Sequence, residues 1–293
     1  MTTRELVTIA SEALSADIDP LGAQLFALRD AEGRDLQWDG DPQVWAGRAP
    51  ILFPIVGMLA GGQYQVDGTT YHMAKHGFAR HKRFAVVEAD SKRAQFRLRA
   101  DDETLAVYPF KFELDVQFII TGATLTLAAG IRNLGDKSMP ASLGFHPALR
   151  WPLPYGQQRE AHLIEFETDE PAPIRRIDSD GLLKPEALPT PVRGRKLALN
   201  DALFRDDALI FDRLKSRKLS YRAEEGPRVE VGFEDTPFLG IWTKPGAGFI
   251  CVEPWHGIAD PEGYDGEFRN KPGVVEVAAG ATFEVAMSLT LRL

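Results

Sequence analysis

Two titratable residues that each stand directly before a proline are the first candidates for chemistry in this chain. His146 precedes Pro147, and Glu253 precedes Pro254. A proline restricts the residue before it to extended backbone, and this pattern is typical of a strand that is about to end. A histidine and a carboxylate that face one another across a pocket from separate strands form a general acid and base, which need no cofactor.

The same residues also have ordinary structural interpretations. A lone histidine before proline is often a hydrogen-bonded structural residue, and a glutamate before proline can be a solvated strand end. Trp242 and Trp255 can be core aromatics or a platform on which a sugar stacks. From the residues alone, these alternatives remain open.

A cluster of three histidines, His72, His76 and His81, raises the question of a metal site. Metal ligation from a strand usually uses His-x-His, which occurs nowhere in the chain. Ligation from a helix uses His-x-x-x-His, but Gly77 would interrupt such a helix directly after His76. The spacing therefore predicts no metal site, and it argues against a cupin-type metalloenzyme, the nearest all-β alternative.

The elements that would position these residues are short strands. Apolar and polar residues alternate along many runs, and 26 glycines and 20 prolines leave little room for long helices. Strands are predicted at 84–89, 94–99, 110–118, 124–128, 163–166, 218–222, 229–233, 238–242, 248–253 and 283–292. Helical turns are expected only at 42–45 and 201–203.

The 293 residues are expected to form a single domain, 1–293, because no linker, repeat or charge block divides them. The stretch 169–195 carries five prolines and few large apolar residues. We interpret it as a long excursion between strands, and such loops often line or cover a site.

Composition limits the partners. Lys and Arg number 34 against 42 Asp and Glu, a formal net charge of −8, so the chain offers no basic field for nucleic acid. No stretch has the length and apolar character of a membrane span. Cys251 is the single cysteine, which allows no intramolecular disulfide and fits a reducing, cytoplasmic location.

Four motifs in order resemble the aldose 1-epimerase (galactose mutarotase) family, particularly its LacX-like branch. They are RAPILFPIVG at 48–57, KHGFAR at 75–80, GFHPAL at 144–149 and CVEPWHGIAD at 251–260. The resemblance covers nearly the whole chain and is weakest across 169–195. It implies an all-β fold, a large antiparallel β-sandwich with a sugar site on the concave face of one sheet. It also implies cofactor-free interconversion of the α and β anomers of an aldose.

The resemblance assigns roles to the motif residues. Glu253 corresponds to the base that takes the proton from the anomeric hydroxyl, and His146 to the acid that protonates the ring oxygen as the ring opens. His76 corresponds to a second histidine that hydrogen-bonds near the ring oxygen or stabilises developing charge.

Further positions would bind sugar hydroxyls. Arg48 would do so through its guanidinium donors. The family also has an acidic sugar ligand, for which Asp207 is the candidate and Asp206 the competitor. Met58 replaces a residue that is commonly basic in relatives, and His256 replaces one that is commonly aromatic, so substrate contacts are expected to differ.

Three other functions are alternatives to a mutarotase. A carbohydrate-binding or sensing protein would keep the pocket without turnover. A glycoside hydrolase ordinarily needs two carboxylates, and only one stands in a convincing motif. A hexose 6-phosphate mutarotase would need a basic cluster, for which Arg80, Lys82 and Arg83 are candidates. The expected partner is a small sugar, with the protein a monomer or homodimer.

Overall fold

The computed structural model describes residues 4–293, and most of its regular structure is β-strand. The strands are β1 (Val7–Ala10), β2 (Leu14–Asp19), β3 (Gln24–Asp30), β4 (Ile51–Leu52), β5 (Gln63–Val66), β6 (Thr69–His72), β7 (Ala85–Ala89), β8 (Arg93–Arg99), β9 (Phe112–Thr121), β10 (Thr124–Asn133) and β11 (Met139–Ala141). They continue as β12 (Leu143–Phe145), β13 (Ala148–Arg150), β14 (His162–Phe166), β15 (Lys196–Ala198), β16 (Leu209–Phe211), β17 (Lys218–Ala223), β18 (Arg228–Gly232), β19 (Phe238–Trp242), β20 (Phe249–His256), β21 (Val275–Val277) and β22 (Thr282–Arg292).

Helical structure is limited to short pieces. One α-helix, α1 (Asp102–Val107), lies between β8 and β9. Single 3₁₀ turns occupy Ala60–Gly62, Ala79–His81, Arg159–Ala161, Asp201–Phe204 and Phe268–Asn270. Within the described residues, none of these helices has the length and apolar character of a bilayer span.

Two large antiparallel sheets form the body of the molecule. The larger has nine strands in the order β15-β14-β17-β18-β22-β10-β9-β8-β7. The smaller has six, with β16-β19-β20-β12-β4 in a row and β13 paired to β20. Buried side chains from both sheets form one apolar core, and Phe166 of β14 meets Phe211 of β16 with ring centroids 5.4 Å apart. The predicted all-β antiparallel sandwich is confirmed.

The alternation seen in the sequence produces this core directly. On β9, Leu114, Val116 and Phe118 are fully buried, while Asp115 and Gln117 between them lie on the opposite face. Because side chains alternate across a strand, one apolar residue in two is enough to bury one face of the sheet.

Strand β20 of the smaller sheet has two buried faces. Ile250 and Val252 belong to the core between the sheets. Cys251 and Trp255 belong to two separate apolar clusters, and Glu253 lies between them on that same side of the strand. This second face, turned away from the larger sheet, is where the candidate site lies.

The predicted strands are all present, with end points shifted by a few residues. The helical turn expected at 201–203 is confirmed by the 3₁₀ turn Asp201–Phe204. The one expected at 42–45 is present as a single hydrogen-bonded turn, in which the Asp41 carbonyl accepts from the amides of Val44 and Trp45. The Asp41 carboxylate also accepts from the amide of Gln43, so an aspartate caps this turn, which does not extend into a longer helix.

Helix α1 was not predicted. Its signal is a capping box, in which the Asp101 side chain accepts from the Thr104 amide and the Thr104 hydroxyl accepts from the Asp101 amide. Asp102 and Glu103 add negative charge to the first turn, which the helix dipole favours.

Candidate active site

A cavity of about 170 Å³ opens on the outer face of the smaller sheet. Its floor comes from β16, β19 and β20, and its walls come from loops. The titratable residues that line it are Lys75, His76, Arg80, His146, Asp207 and Glu253. Val56 and Gly57 line it as well, so the cavity gathers residues from all four sequence motifs and from the segment around Asp207.

A direct contact between His146 and Glu253 forms the centre of the cavity. His146 Nε2 lies 3.1 Å from Glu253 Oε2, and both side chains are more than nine-tenths buried. Glu253 projects from β20, whereas His146 lies in the short gap between β12 and β13, both of which pair with β20. The two residues that precede prolines are thus brought together, as the sequence suggested.

The position of Glu253 differs from the prediction in one respect. It was expected near a strand end, but Glu253 and Pro254 lie within β20, which continues to His256. Alternate residues turn their amides to the same side, and the Val252 amide donates to the Pro147 carbonyl on that side. The Pro254 nitrogen therefore faces the gap between β12 and β13, where its missing N–H costs no ladder hydrogen bond.

Burial favours the neutral forms of both residues in this pair. It lowers the pKa of His146 to about 3, and the positive charges of Lys75 and Arg80 act in the same direction. It also raises the pKa of Glu253 well above its usual range, although the charge of Lys75 opposes the shift. These shifts favour a contact in which a carboxylic acid is hydrogen-bonded to a neutral imidazole, with one proton shared between them.

His76 is held by a reciprocal pair of hydrogen bonds with Gly57. The His76 amide donates to the Gly57 carbonyl at 2.9 Å, and the Gly57 amide donates to His76 Nδ1 at 3.1 Å. Since Nδ1 accepts, the neutral ring carries its hydrogen on Nε2. Burial, followed by the charge of His146, lowers the pKa of His76 well below its usual range. His76 is thus a fixed neutral donor, edge-on to His146 with ring centroids 5.7 Å apart.

Two glycines make this placement of His76 possible. Gly57 and Gly77 both have positive φ, at 76° and 73°. A Cβ on Gly57 would lie 2.5 Å from Ala259 Cα, and one on Gly77 would lie 2.2 Å from the Phe53 carbonyl oxygen. Neither position tolerates a side chain, which explains the glycines of the two motifs in terms of backbone geometry.

Aromatic rings surround His146. Trp45 stacks on its imidazole with centroids 5.2 Å apart, and Trp242 meets it edge-on at 5.9 Å. Both tryptophans, together with Trp255, line the cavity. Trp242 and Trp255 each pack in an apolar cluster and also border the cavity, so they are core aromatics, and a role in stacking on a sugar stays a prediction.

Asp207, and not its neighbour Asp206, is the acidic residue that lines the cavity. Asp207 has a positive φ of 64°, and its Oδ1 accepts from the Ala208 amide at 2.7 Å. Its own carbonyl accepts from Arg176 at 2.6 Å, which fixes the turn. The geometry therefore favours Asp207 over Asp206 as a ligand for sugar hydroxyls.

Arg48 does not reach the cavity, and the predicted role as a sugar anchor does not fit its position. Its guanidinium donates to the carbonyls of Phe26 and Trp38 and lies 3.8 Å from the Phe26 ring centroid. Arg48 instead joins β3 to the segment before β4. The sequence identifies the residue type, but the position of the guanidinium at the end of so long a side chain depends on the tertiary packing.

Several cavity residues were not singled out as site residues from the sequence. Lys75 adjoins His76 in its motif, and Trp45 closes the turn that follows Asp41. Ile177 and Gly181 come from the proline-rich stretch 169–195. The expectation that this stretch lines a site is therefore confirmed.

The remaining histidines lie outside the cavity. His256 Nε2 lies 2.6 Å from the Asp235 carbonyl, and its ring packs edge-on against Phe283. His162 is buried elsewhere, where its Nε2 accepts from the Leu153 amide. His72 and His81 are not among the residues that line the cavity.

Among residues 4–293, one group of side chains has the donor atoms and the spacing of a metal site. The ligand atoms of His146, Cys251 and Glu253 lie within 4.8 Å of one another. However, burial raises the pKa of the Cys251 thiol well above its usual range, and the charge of Glu253 adds to this. Metal binding requires the thiolate, so the environment of Cys251 opposes it. The absence of a metal remains a prediction.

Comparison with known proteins agrees with the geometry. The family model described as aldose 1-epimerase matches residues 5–272. The chromosomal LacX protein of Lactococcus lactis is 31% identical over 97% of this chain and 99% of its own. A galactose mutarotase related enzyme from Lactobacillus acidophilus is 32% identical with a TM-score of 0.90, covering 99% of this chain and 98% of that one. A galactose mutarotase-like protein from Lactobacillus casei is 28% identical with a TM-score of 0.91, covering 98% and 100%. The chain belongs to the aldose 1-epimerase family.

Proposed function

We propose that the protein interconverts the α and β anomers of an aldose by opening and closing the sugar ring. The observation that carries this proposal is the buried 3.1 Å contact between His146 Nε2 and Glu253 Oε2 on the cavity wall. The anomeric oxygen and the ring oxygen are both bonded to C1. An acid and a base that serve them must therefore lie only a few ångströms apart, as these two do.

The proposed ring opening moves two protons. Glu253, as carboxylate, takes the proton of the anomeric hydroxyl, and a carbonyl forms at C1. The C1–O5 bond breaks, and His146, as imidazolium, delivers its proton to the ring oxygen. The open-chain aldehyde then rotates about C1–C2, and the ring closes on its other face as both proton transfers reverse.

The shared proton of the pair gives this cycle a physical basis. The pair has two forms with the same number of protons. In the first form Glu253 is a carboxylate and His146 an imidazolium, and in the second form Glu253 is a carboxylic acid and His146 is neutral. Ring opening converts the first form into the second, and ring closure restores it. Because burial favours the neutral form, the cavity lowers the energy of the state that accompanies the open-chain aldehyde.

The other polar groups of the cavity have supporting roles in this proposal. The Nε2–H of His76 is a fixed donor that can stabilise charge developing on a sugar oxygen. Asp207 can accept hydrogen bonds from sugar hydroxyls, and the tryptophan rings can pack against the apolar face of a sugar. We also place the protein in the cytoplasm, a proposal that its single cysteine supports.

Anomer exchange followed by NMR tests the proposal. Exchange rates for a panel of free aldoses and hexose 6-phosphates are measured in weakly catalytic buffer, with spontaneous exchange subtracted. We expect the wild-type protein to accelerate exchange and Glu253→Gln to lower kcat by about 10²-fold or more. Glu225→Gln serves as the matched control, since this exposed carboxylate lies in the turn between β17 and β18.

The test also separates the proposal from a binding protein. If no sugar exchanges faster, while sugars still shift the protein's own NMR signals, the site binds without turnover. Equal rates for wild type and Glu253→Gln would reject Glu253 as the base.

A further inference from the structure

Arg176 is a buried arginine that joins two walls of the cavity. It is only 9% exposed and belongs to the stretch 169–195. Its Nη2 donates to the Leu203 carbonyl at 2.7 Å, and its Nη1 donates to the Asp207 carbonyl at 2.6 Å. The next residue, Ile177, lines the cavity. One side chain therefore ties the stretch 169–195 to the segment that carries Asp207.

The backbone that carries Arg176 is fixed to the smaller sheet. Arg175 and Ile210 exchange two backbone hydrogen bonds, at 2.8 and 3.1 Å, which add a short antiparallel pairing to the edge strand β16. The Lys184 amide donates to the Arg176 carbonyl at 2.9 Å. The sheet thus supplies a fixed base from which the side chain of Arg176 reaches the segment 203–207.

The Arg176 guanidinium is held by carbonyl oxygens. Within residues 4–293, its hydrogen bonds go to backbone carbonyls and to no carboxylate. Burial lowers the pKa of Arg176, and the charges of Asp206 and Asp207 oppose this shift. Burying a charge is costly, whereas an apolar side chain of similar volume avoids this cost. What the guanidinium adds over such a side chain is its hold on these carbonyls.

Asp207 has a backbone conformation that benefits from such support. Its φ of 64° lies in the left-handed region, which is unfavourable for most residues other than glycine, although aspartate adopts it more readily than most. Its Oδ1 accepts from the Ala208 amide at 2.7 Å, and no donor within residues 4–293 bonds Oδ2. The carboxylate is thus fixed at one oxygen and available to a ligand at the other.

We propose that Arg176 is a positioning residue for substrate binding, which holds the Leu203 and Asp207 carbonyls so that the Asp207 carboxylate faces a sugar in the cavity. This inference rests on the proposed mutarotase function, in which Asp207 accepts from sugar hydroxyls. Arg176 is not among the residues that line the cavity, so it acts through Asp207 and not on the sugar. It also lies where the resemblance to the family is weakest, so the four motifs do not indicate it.

Loss of the guanidinium should weaken substrate binding without slowing the chemical step. For the sugar whose anomers the protein exchanges fastest, Arg176→Met should raise KM by about tenfold and leave kcat within about threefold. Arg175→Met is the matched control, because this neighbouring arginine donates to the Asp212 carboxylate and the Lys184 carbonyl instead. It should leave KM within about twofold.

A double-mutant cycle shows whether Arg176 acts through Asp207. Arg176→Met and Asp207→Asn together should raise KM by about tenfold, no more than either alone, because both remove the same contact with the sugar. Independent effects would multiply to about a hundredfold. A merely structural role for Arg176 would not produce this coupling.

The Ala208 amide reports on Asp207 in the absence of a sugar. In Arg176→Met, hydrogen exchange of this amide should accelerate by about tenfold, because its bond to Asp207 Oδ1 is no longer held in place. Urea denaturation checks that the variant is folded. If it is not, Arg176→Lys takes its place with the same expected results, since lysine keeps the charge but lacks the planar fork that spans two carbonyls.

Three results would each overturn the inference: an unchanged KM in the Arg176 variant, a rise of about a hundredfold in the double variant, or Ala208 exchange at the wild-type rate. If the wild-type protein turns over no sugar, the mutarotase proposal fails. The inference is then decided by dissociation constants for the sugars that shift the protein's NMR signals, with the same expected ratios. If no sugar binds, both proposals fail.

Discussion

Val252 and Glu253 are neighbours on β20, yet they belong to different environments. Val252 is fully buried in the core between the two sheets. Glu253 is also almost fully buried, but it faces the cavity and hydrogen-bonds with His146. One strand thus serves stability on one face and the proposed chemistry on the other. Both side chains are buried, so burial does not distinguish the structural role of Val252 from the proposed catalytic role of Glu253. The difference is that Glu253 has a polar partner, His146.

A β-sandwich can hold a perturbed acid–base pair because the two faces of one strand have different neighbours. The core face of β20 supplies apolar contacts that fix the strand, and Cys251 and Trp255 add apolar contacts on either side of Glu253 on the other face. Loops then cover that face, which desolvates Glu253 and His146 and shifts the pKa of each toward the neutral form. Substitutions on the two faces should therefore have separable effects.

The largest effect is expected at His146 on the cavity face. His146→Asn keeps a polar side chain but removes the proton donor to the ring oxygen, and we expect kcat to fall by about 10²-fold or more. The free energy of unfolding, measured in urea, should change far less than activity. If the variant retains near wild-type kcat, His146 is not the acid.

The next largest effect is expected in the pH dependence of activity. Where the pair loses its shared proton, activity should fall by about tenfold per pH unit. The pair is active when it holds one shared proton. Because the pKa of His146 is lowered to about 3, a second proton does not bind as the pH falls through 6.5, the ordinary histidine value. Because burial raises the pKa of Glu253 well above its usual range, the shared proton is retained above the ordinary carboxyl range and is lost at a higher pH.

We therefore expect kcat/KM to stay level as the pH falls below 6.5 for as long as the protein remains folded, and to decline only when the pH rises past the raised pKa of Glu253. The measurement is a pH profile of anomer exchange, corrected for spontaneous exchange at each pH. An acid limb with its midpoint near 6.5 would contradict the shared-proton description.

The core face of β20 should show the opposite pattern. Val252→Ala removes two buried methyl groups, and we expect it to lower the free energy of unfolding by about 2 kcal/mol. Urea denaturation measures this loss, and kcat should remain within a few-fold of the wild type. A loss of activity as large as that of His146→Asn would show that the two faces are coupled and not separable.

The same two environments explain how much the sequence could predict. Strands such as β9 follow from alternation, because burial of one face requires a period of two and little else. Glu253 and His146 were found because each precedes a proline within a recognisable motif. Arg48 was misplaced because its long side chain reaches the carbonyls of Phe26 and Trp38, partners that are set by tertiary packing.

Lys75 and Trp45 were missed for a related reason. A lysine beside a histidine resembles any solvated cation, and a tryptophan after an aspartate-capped turn resembles any core aromatic. Their contribution to the cavity depends on how loops fold over the sheet, and alternation does not encode loop paths. The strands were therefore predictable, the two central residues were largely so, and the remainder of the cavity wall was not.

The smallest expected effect distinguishes two adjacent carboxylates at this wall. Asp207 lines the cavity, whereas Asp206 does not. Asp207→Asn should raise KM by about tenfold, because an amide oxygen accepts a hydrogen bond from a sugar hydroxyl less strongly than a carboxylate does. Asp206→Asn is the matched control, one residue away with the same change of charge, and should leave KM within about twofold. Equal effects of the two substitutions would mean that the negative charge of this turn, and not a direct contact, affects KM. Asp207 would then not be a ligand of the sugar.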